Sequence, residues 1–219
     1  MIFVVSWNAC WREEDFPTDW RCAQVVCICK KGSIENPDNY RPISVVCVGY
    51  KTLAALLLKR LQDGGAEARL TMSQYGFRRG RDTVDAIFAV RRHIDLALAP
   101  RSGAKALLAL DWKKAFDSIN IQGLLTALER FGVPSKMVRL VRNLYSDRMF
   151  AVRDGSNQSA WRQQCSGISQ GCPLSPFLFT MTMSIIIQDA IEMVPEAISK
   201  MIEDGSLSVV LYYMPTTPC

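Results

Sequence analysis

Apolar and polar residues change period several times along this chain, and each change marks an element. AQVVCICKKGSIENPDNYRPISVV carries β-branched runs on both sides of a Gly, Asn, Pro and Asp cluster, the pattern of two strands joined by a loop. Tyr50, Leu53, Ala54, Leu57, Leu58 and Leu61 then recur at helical spacing and define an amphipathic helix stopped by Gly64 and Gly65. After the loop QYGFRRGRDT, Asp82 or Thr83 caps a second helix whose predicted inner face is Val84, Ile87, Val90, Ile94 and Leu98. A turn from Pro100 to Gly103 ends it.

Ala106 to Leu110 is a continuous apolar run of strand length, expected for a central strand covered on both faces, with Asp111 at its exit. Two helices follow, one with Leu124, Leu128 and Phe131, the other with Met137, Val138, Val141 and Leu144, separated by Gly132, Val133 and Pro134. MFAVRDGSNQSAWRQQC reads as a hairpin turning at Asp154 to Asn157. Pro173 is expected in the first turn of a last helix, along whose inner face run Leu174, Leu178, Met181 and Ile185. LSVVLYY reads as a closing strand.

Composition narrows the class without naming it. A 219-residue chain with 49% hydrophobic and 21% charged residues can bury a sizeable core. The formal charge of +5, with basic clusters at Lys30 and Lys31, at Arg78, Arg79 and Arg81, and at Arg91 and Arg92, suits a polyanionic partner. The eight cysteines show no CxxC spacing and His93 is the single histidine, so no zinc site is expected. MIFVVSW is too short for a signal peptide and FLFTMTMSIII is too short and too polar to span a bilayer, so the chain is expected to be intracellular, with reduced thiols and no membrane partner.

Two strings carry the chemistry. A strand ending in Asp111 can hold a carboxylate rigidly at a sheet edge, as divalent ions in phosphoryl transfer require. Taken alone, Asp111 is equally compatible with a helix cap or a surface carboxylate, and Phe116 with an ordinary core position. In CSGISQGCPLSPFLF the glycines permit close backbone approach to a ligand, Gln170 offers both a donor and an acceptor, and Pro173 opens the supporting helix. A purely structural loop explains Pro173 and Leu174 but not the whole string.

LALDWKKAFDS and SGISQGCPLSP, in this order, resemble the first two palm motifs of the reverse transcriptases of non-LTR (LINE-type) retrotransposons. CICKKG with NPDNYRPIS, and QYGFRRGRDT, resemble the fingers motifs of the same enzymes. The resemblance runs from about Pro17 to Tyr212. It implies an α+β fold with the fingers and palm of a right-hand polymerase, an antiparallel palm sheet packed on helices, and no thumb. It divides the chain into an N-terminal extension (1–16), a fingers-like region (17–103), an incomplete palm-like region (104–212) and an aberrant tail (213–219).

The same resemblance implies that Asp111 is catalytic and binds Mg²⁺, and that Lys30 and Arg41 grip the triphosphate of a deoxynucleotide. Phe116 would crowd a ribose 2′-hydroxyl, and Gly167, Gln170 and Gly171 would form a loop beside template and nucleotide. Arg78, Arg79 and Arg81 would touch nucleic-acid backbone, the partners being an RNA template and a DNA primer. Asp117 is expected to cap the next helix, and Lys31 to be a surface charge.

The pattern breaks at the end. The family continues with a Tyr, Ala, Asp, Asp turn that completes a pair of metal ions about 3.5–4 Å apart, whereas this chain has no acidic residue after Asp204. Codons for Tyr213 to Cys219 can be chosen as TAT ATG CCG ACG ACA CCC TGC, and from the last T of the first codon the same bases spell Tyr, Ala, Asp, Asp, Thr, Leu. A frameshift near Tyr212 is therefore expected, leaving a polymerase domain fragment without its second carboxylate motif and without activity. The alternatives are an RNA-binding remnant or a relic without function.

Overall fold

The computed structural model describes residues 2–30, 32–72, 74–98, 112, 114–196, 198 and 200. The strand expected over 106–110, the turn before it, Lys31, Asp111, the strand expected over 207–213 and the tail lie outside the described residues.

The strands form one mixed sheet. The central strand β1 (Cys22–Cys29) pairs antiparallel with β2 (Tyr40–Val45), Cys29 opposite Tyr40 and Gln24 opposite Val45. On its other side β1 pairs parallel with β3 (Met149–Asp154), Cys22 opposite Met149 and Val26 opposite Arg153. The resemblance implies an antiparallel palm sheet; the sheet of the described residues is mixed instead, because β3, from the palm-like stretch, runs parallel to β1. The sheet thus pairs strands from the fingers-like and palm-like stretches of the sequence. The expected hairpin is present: β3 turns at Gly155 and Ser156 into the short β4 (Asn157–Gln158), and β5 (Arg162–Gln163) pairs back on β3. Gly155 takes φ +56°, as a two-residue turn demands.

Because β3 pairs with Cys22 to Val26, the far end of β1 has β2 as its one strand partner among the described residues, and Ile28 is 54% exposed. That end leads into the loop 30–39, which is tied to itself. The Lys30 N–H donates to Asn39 O (2.7 Å), the Tyr40 hydroxyl to Ile34 O (2.8 Å), and the Asn36 side chain accepts from the Asp38 N–H (3.0 Å).

The core lies under the sheet, among α2 (Val48–Asp63), α4 (Ile121–Arg130), α5 (Ser135–Tyr145) and α6 (Ser175–Glu192). Their apolar stripes are buried as the periodicity predicted: Leu53, Leu57 and Leu61 on α2, Leu124 and Leu128 on α4, Val138, Val141 and Leu144 on α5. Gly64 and Gly65 end α2 as expected. The first half of α6 is buried on every side, beyond the single face expected, because Thr180, Thr182 and Ser184 donate to carbonyls four residues back at 2.9–3.0 Å. Pro173 precedes this helix, and Pro176 occupies its first turn instead. The stretch 1–16 contains α1 (Ile2–Glu13), whose Cys10 is buried and whose Trp11 ring lies under Arg60, 3.7 Å from centroid to guanidinium. Glu14, just after it, pairs with Arg139 at 2.7 Å.

The helix α3 (Thr83–Leu98) departs from expectation. Asp82 and Asp85 cap each other's N–H groups at 3.0 Å, so its start is where the sequence put it. Its apolar stripe, however, is exposed: Val84 is 69% and Leu98 79% accessible, Ile87 and Ile94 are exposed too, and Ala86 is the buried residue of the helix. Periodicity specifies which residues share a face, not what covers that face.

Candidate functional site

The loop 166–172 is held from two directions. From the segment 116–119, Ile119 O accepts the Gly167 N–H (2.7 Å) and Phe116 O accepts the Ile168 N–H (2.8 Å). From β2, the Ser44 N–H donates to Gln170 O (2.7 Å). Both contacts demand glycine. Gly167 has φ +82°, and a Cβ there would stand 2.8 Å from Asp117 O; Gly171 has φ +118°, and a Cβ there would stand 2.5 Å from Ser44 O.

This clamping builds a cleft of about 400 Å³. Lys30 enters from the end of β1, Arg41 and Tyr40 from β2, Asp38 from the loop 30–39, Trp112, Lys114, Phe116 and Asp117 from the next segment, and Gln170 from the clamped loop. Four residues singled out in the sequence, Lys30, Arg41, Phe116 and Gln170, therefore share one cavity although they span 140 positions. Gly171 backs it by letting the loop approach β2. Phe116 is only 6% exposed, with its ring centroid 5.1 Å from that of Phe179 and 6.0 Å from that of Phe77. It is thus a core residue and a cleft residue at once.

Asp117 does not cap α4; Asn120 does, accepting from the Gly123 N–H at 2.9 Å. The Asp117 carboxylate instead accepts from Gln170 Nε2 at 3.1 and 3.2 Å, fixing the carboxamide toward the cleft. Burial raises the Asp117 pKa, while the Gln170 hydrogen bond and the charges of Lys114 and Lys30 pull it down. Lys114, which the sequence reading did not single out, pairs with Asp38 at 2.9 Å. Its position three residues after Asp111 was the available signal.

Gln170, Asp117, Cys27 and Pro42 also line a second cavity of about 330 Å³, floored by Val25, Phe150 and Val152 and edged by Gln163 and Gln164. The Gln170 loop is the partition between the two. Arg148, 1% exposed, donates to the Tyr50 hydroxyl at 3.2 Å and lies over the Tyr50 and Tyr145 rings at 5.2 and 5.5 Å. Tyr145 in turn shares a hydrogen bond with Ser175 (3.0 Å) at the start of α6. Burial pushes both phenols well above their ordinary range.

The three arginines of QYGFRRGRDT are not lining residues of this cleft. Arg78 donates to Thr71 O (2.9 Å) and Arg81 to Met72 O, bracing their own loop, and the exposed Arg79 has no side-chain partner among the described residues. Asp111 lies outside the described residues. Among them no three metal-ligating side chains gather, and the two carboxylates of the cleft are engaged by Gln170 and Lys114. Lys30, Arg41 and Lys114 put three cationic side chains of the described residues on the cleft. No helix among them is long and apolar enough to cross a membrane.

The α+β arrangement has a counterpart among solved structures. The structure of apo telomerase from Candida tropicalis, truncated from its C-terminal domain, superposes with a TM-score of 0.50 at 11% identity, over 90% of this chain and 45% of that one. The chain belongs to the reverse transcriptase (RNA-dependent DNA polymerase) family, which matches residues 28–213. It is 31% identical over 183 residues to a probable RNA-directed DNA polymerase from transposon BS of Drosophila melanogaster, covering 83% of this chain and 20% of that protein. It is 30% identical over 176 residues to the Pol polyprotein of retrotransposable element R2 of Popillia japonica, covering 78% and 24%. The chain thus spans about a quarter or less of these relatives.

Proposed function

We propose that the cleft is the deoxynucleoside triphosphate site of a reverse transcriptase domain from a non-LTR retrotransposon polymerase. One observation carries this reading: Lys30, Arg41, Phe116 and Gln170, drawn from three separate motifs, line a single cavity. Lys30 and Arg41 supply cationic donors for the triphosphate. Phe116, rigid in the core, sits against the sugar. Gln170, held by Asp117, faces the cleft while its loop borders the second cavity, where a templating RNA base fits between the apolar floor and the carboxamide rim. Arg78, Arg79 and Arg81 are the proposed contacts to nucleic-acid backbone, Arg79 being the exposed one.

In the reaction, the 3′-hydroxyl of a DNA primer attacks the α-phosphate and pyrophosphate leaves. Magnesium, when bound, neutralises charge on the attacking and leaving oxygens, and Asp111 is the residue expected to hold it. Tyr213, Met214, Pro215, Thr216 and Thr217 stand where the family's Tyr, Ala, Asp, Asp turn is expected, and this supports a change of reading frame near Tyr212. We therefore expect a domain that binds nucleotide and RNA inside the cell but does not extend a primer. Primer extension with Mg²⁺ on poly-rA checks this: no incorporation is expected, and incorporation abolished by Asp111→Ala would overturn it. In the coding sequence, a Pro215 or Thr216 codon not ending in G sinks the frameshift.

A further inference from the structure

The mouth of the cleft is bridged. Asp38, in the tight turn Pro37–Asn39 of the loop 30–39, meets Lys114, 76 positions away, at 2.9 Å. Asp38 is set in place by its own N–H, which donates to the Asn36 side chain, and Lys114 by an unusual backbone conformation with φ +52°. Both side chains remain more than half exposed. Lys30 and Arg41, on the same cavity, have no carboxylate within ion-pair distance among the described residues. Of the three cations that the described residues put on the cleft, one is thus held by a carboxylate of the same cleft.

We propose that Lys114 is a third phosphate-binding cation and Asp38 its resident competitor, so that an incoming polyphosphate takes Lys114 from Asp38 and releases the loop 30–39 from the segment 114–117. The inference rests on the cleft being a triphosphate site. The exchange is feasible because an exposed ion pair is weak and screened, whereas a polyphosphate brings several charges and three cations at once. Asp38 then sets a threshold: it disfavours weakly charged ligands, for which breaking the bridge is not offset, and makes the cleft selective for polyphosphate over monophosphate.

Titration of the full chain with dATP and with inorganic tripolyphosphate, without divalent ions, tests this by calorimetry. Asp38→Asn is expected to bind both ligands roughly two- to fivefold more tightly, the span expected for an exposed pair. Lys114→Gln is expected to bind more weakly, and Asp38→Asn combined with Lys114→Gln to match Lys114→Gln alone. A gain that persists in the double variant means that Asp38 acts by general repulsion, and overturns the exchange. So does a gain confined to dATP, which would place the effect at the base. Binding that depends on Lys30 and Arg41 but is indifferent to Asp38 overturns the exchange and leaves the nucleotide site standing. Binding indifferent to Lys30→Ala and Arg41→Ala, or no binding at all, overturns both.

Discussion

Lys114 lines the cleft with its side chain more than half exposed, whereas Arg148, in the core that backs the same loop, is 1% exposed. The first charge is met by a carboxylate and by water. The second has no anion beside it among the described residues: one nitrogen donates to the Tyr50 hydroxyl, the aromatic faces of Tyr50 and Tyr145 lie against the guanidinium, and Nε and Nη2 find no partner there. The difference separates two uses of basic residues. A cation in solvent contributes little to folding and is free for a ligand; a cation in the core contributes through its stem and its stacking, and its charge is a burden.

Arg148 gives the largest effect by which to break that comparison. Arg148→Ala removes the packed stem and should cost about 3 kcal/mol, as other large-to-small core changes do, a drop of roughly 6–12 °C in Tm for a chain of this size. Arg148→Met keeps the volume and discards the charge, and should stay within about 1 kcal/mol of the parent. Differential scanning calorimetry of both variants distinguishes packing from charge. Equal losses in the two would show that the buried charge itself holds the core behind the loop.

The loop between the two regions comes next. Gly171→Ala forces a side chain into positive φ, at about 1–3 kcal/mol, and drives a Cβ toward Ser44 O. Gly65, also at positive φ but with open space around it, provides the comparison: Gly65→Ala carries the backbone strain without the contact. The expected result is a larger loss of Tm at Gly171 than at Gly65, with dATP binding lost only at Gly171. Equal effects would show that strain alone is at issue and that the approach of the loop to β2 does not shape the cleft.

These residues also show what the sequence could reveal. The stripes of α2, α4 and α5 were legible because each is a local 3.6-residue pattern facing one core. The hairpin at Gly155 was legible because its turn chemistry is local too. The role of Asp117 was not: it stands three residues before Asn120, either of which satisfies a capping pattern, and only the approach of Gln170 from 53 positions away decides. The exposed stripe of α3 and the buried Arg148 fail for the same reason, since burial is settled by distant segments. Of the cleft, the motif residues could be named in advance, but Lys114 and Asp38 become a pair only when the loop 30–39 folds over the segment 114–117.

The smallest expected effect lies at Asp117, in front of the loop, and asks whether burial or the neighbouring cations dominate there. Its pKa is raised, burial being the largest cause, so the folded state holds the proton more tightly than the unfolded chain does. Stability from the neutral form is present at low pH and is lost as pH rises through the raised value; ionisation at neutral pH then weighs against folding. Asp117→Asn cannot ionise and still accepts from Gln170 through its Oδ1. Its Tm should exceed that of the parent at pH 7, and the gap should shrink toward pH 4, near the ordinary carboxylate range of about 3.9. A gap that widens on acidification instead would mean that Lys30 and Lys114 stabilise the carboxylate more than burial penalises it. The front of the loop would then hold an ion cluster assembled before any ligand arrives, and the contrast with Arg148, which has no anion beside it among the described residues, would be sharper still.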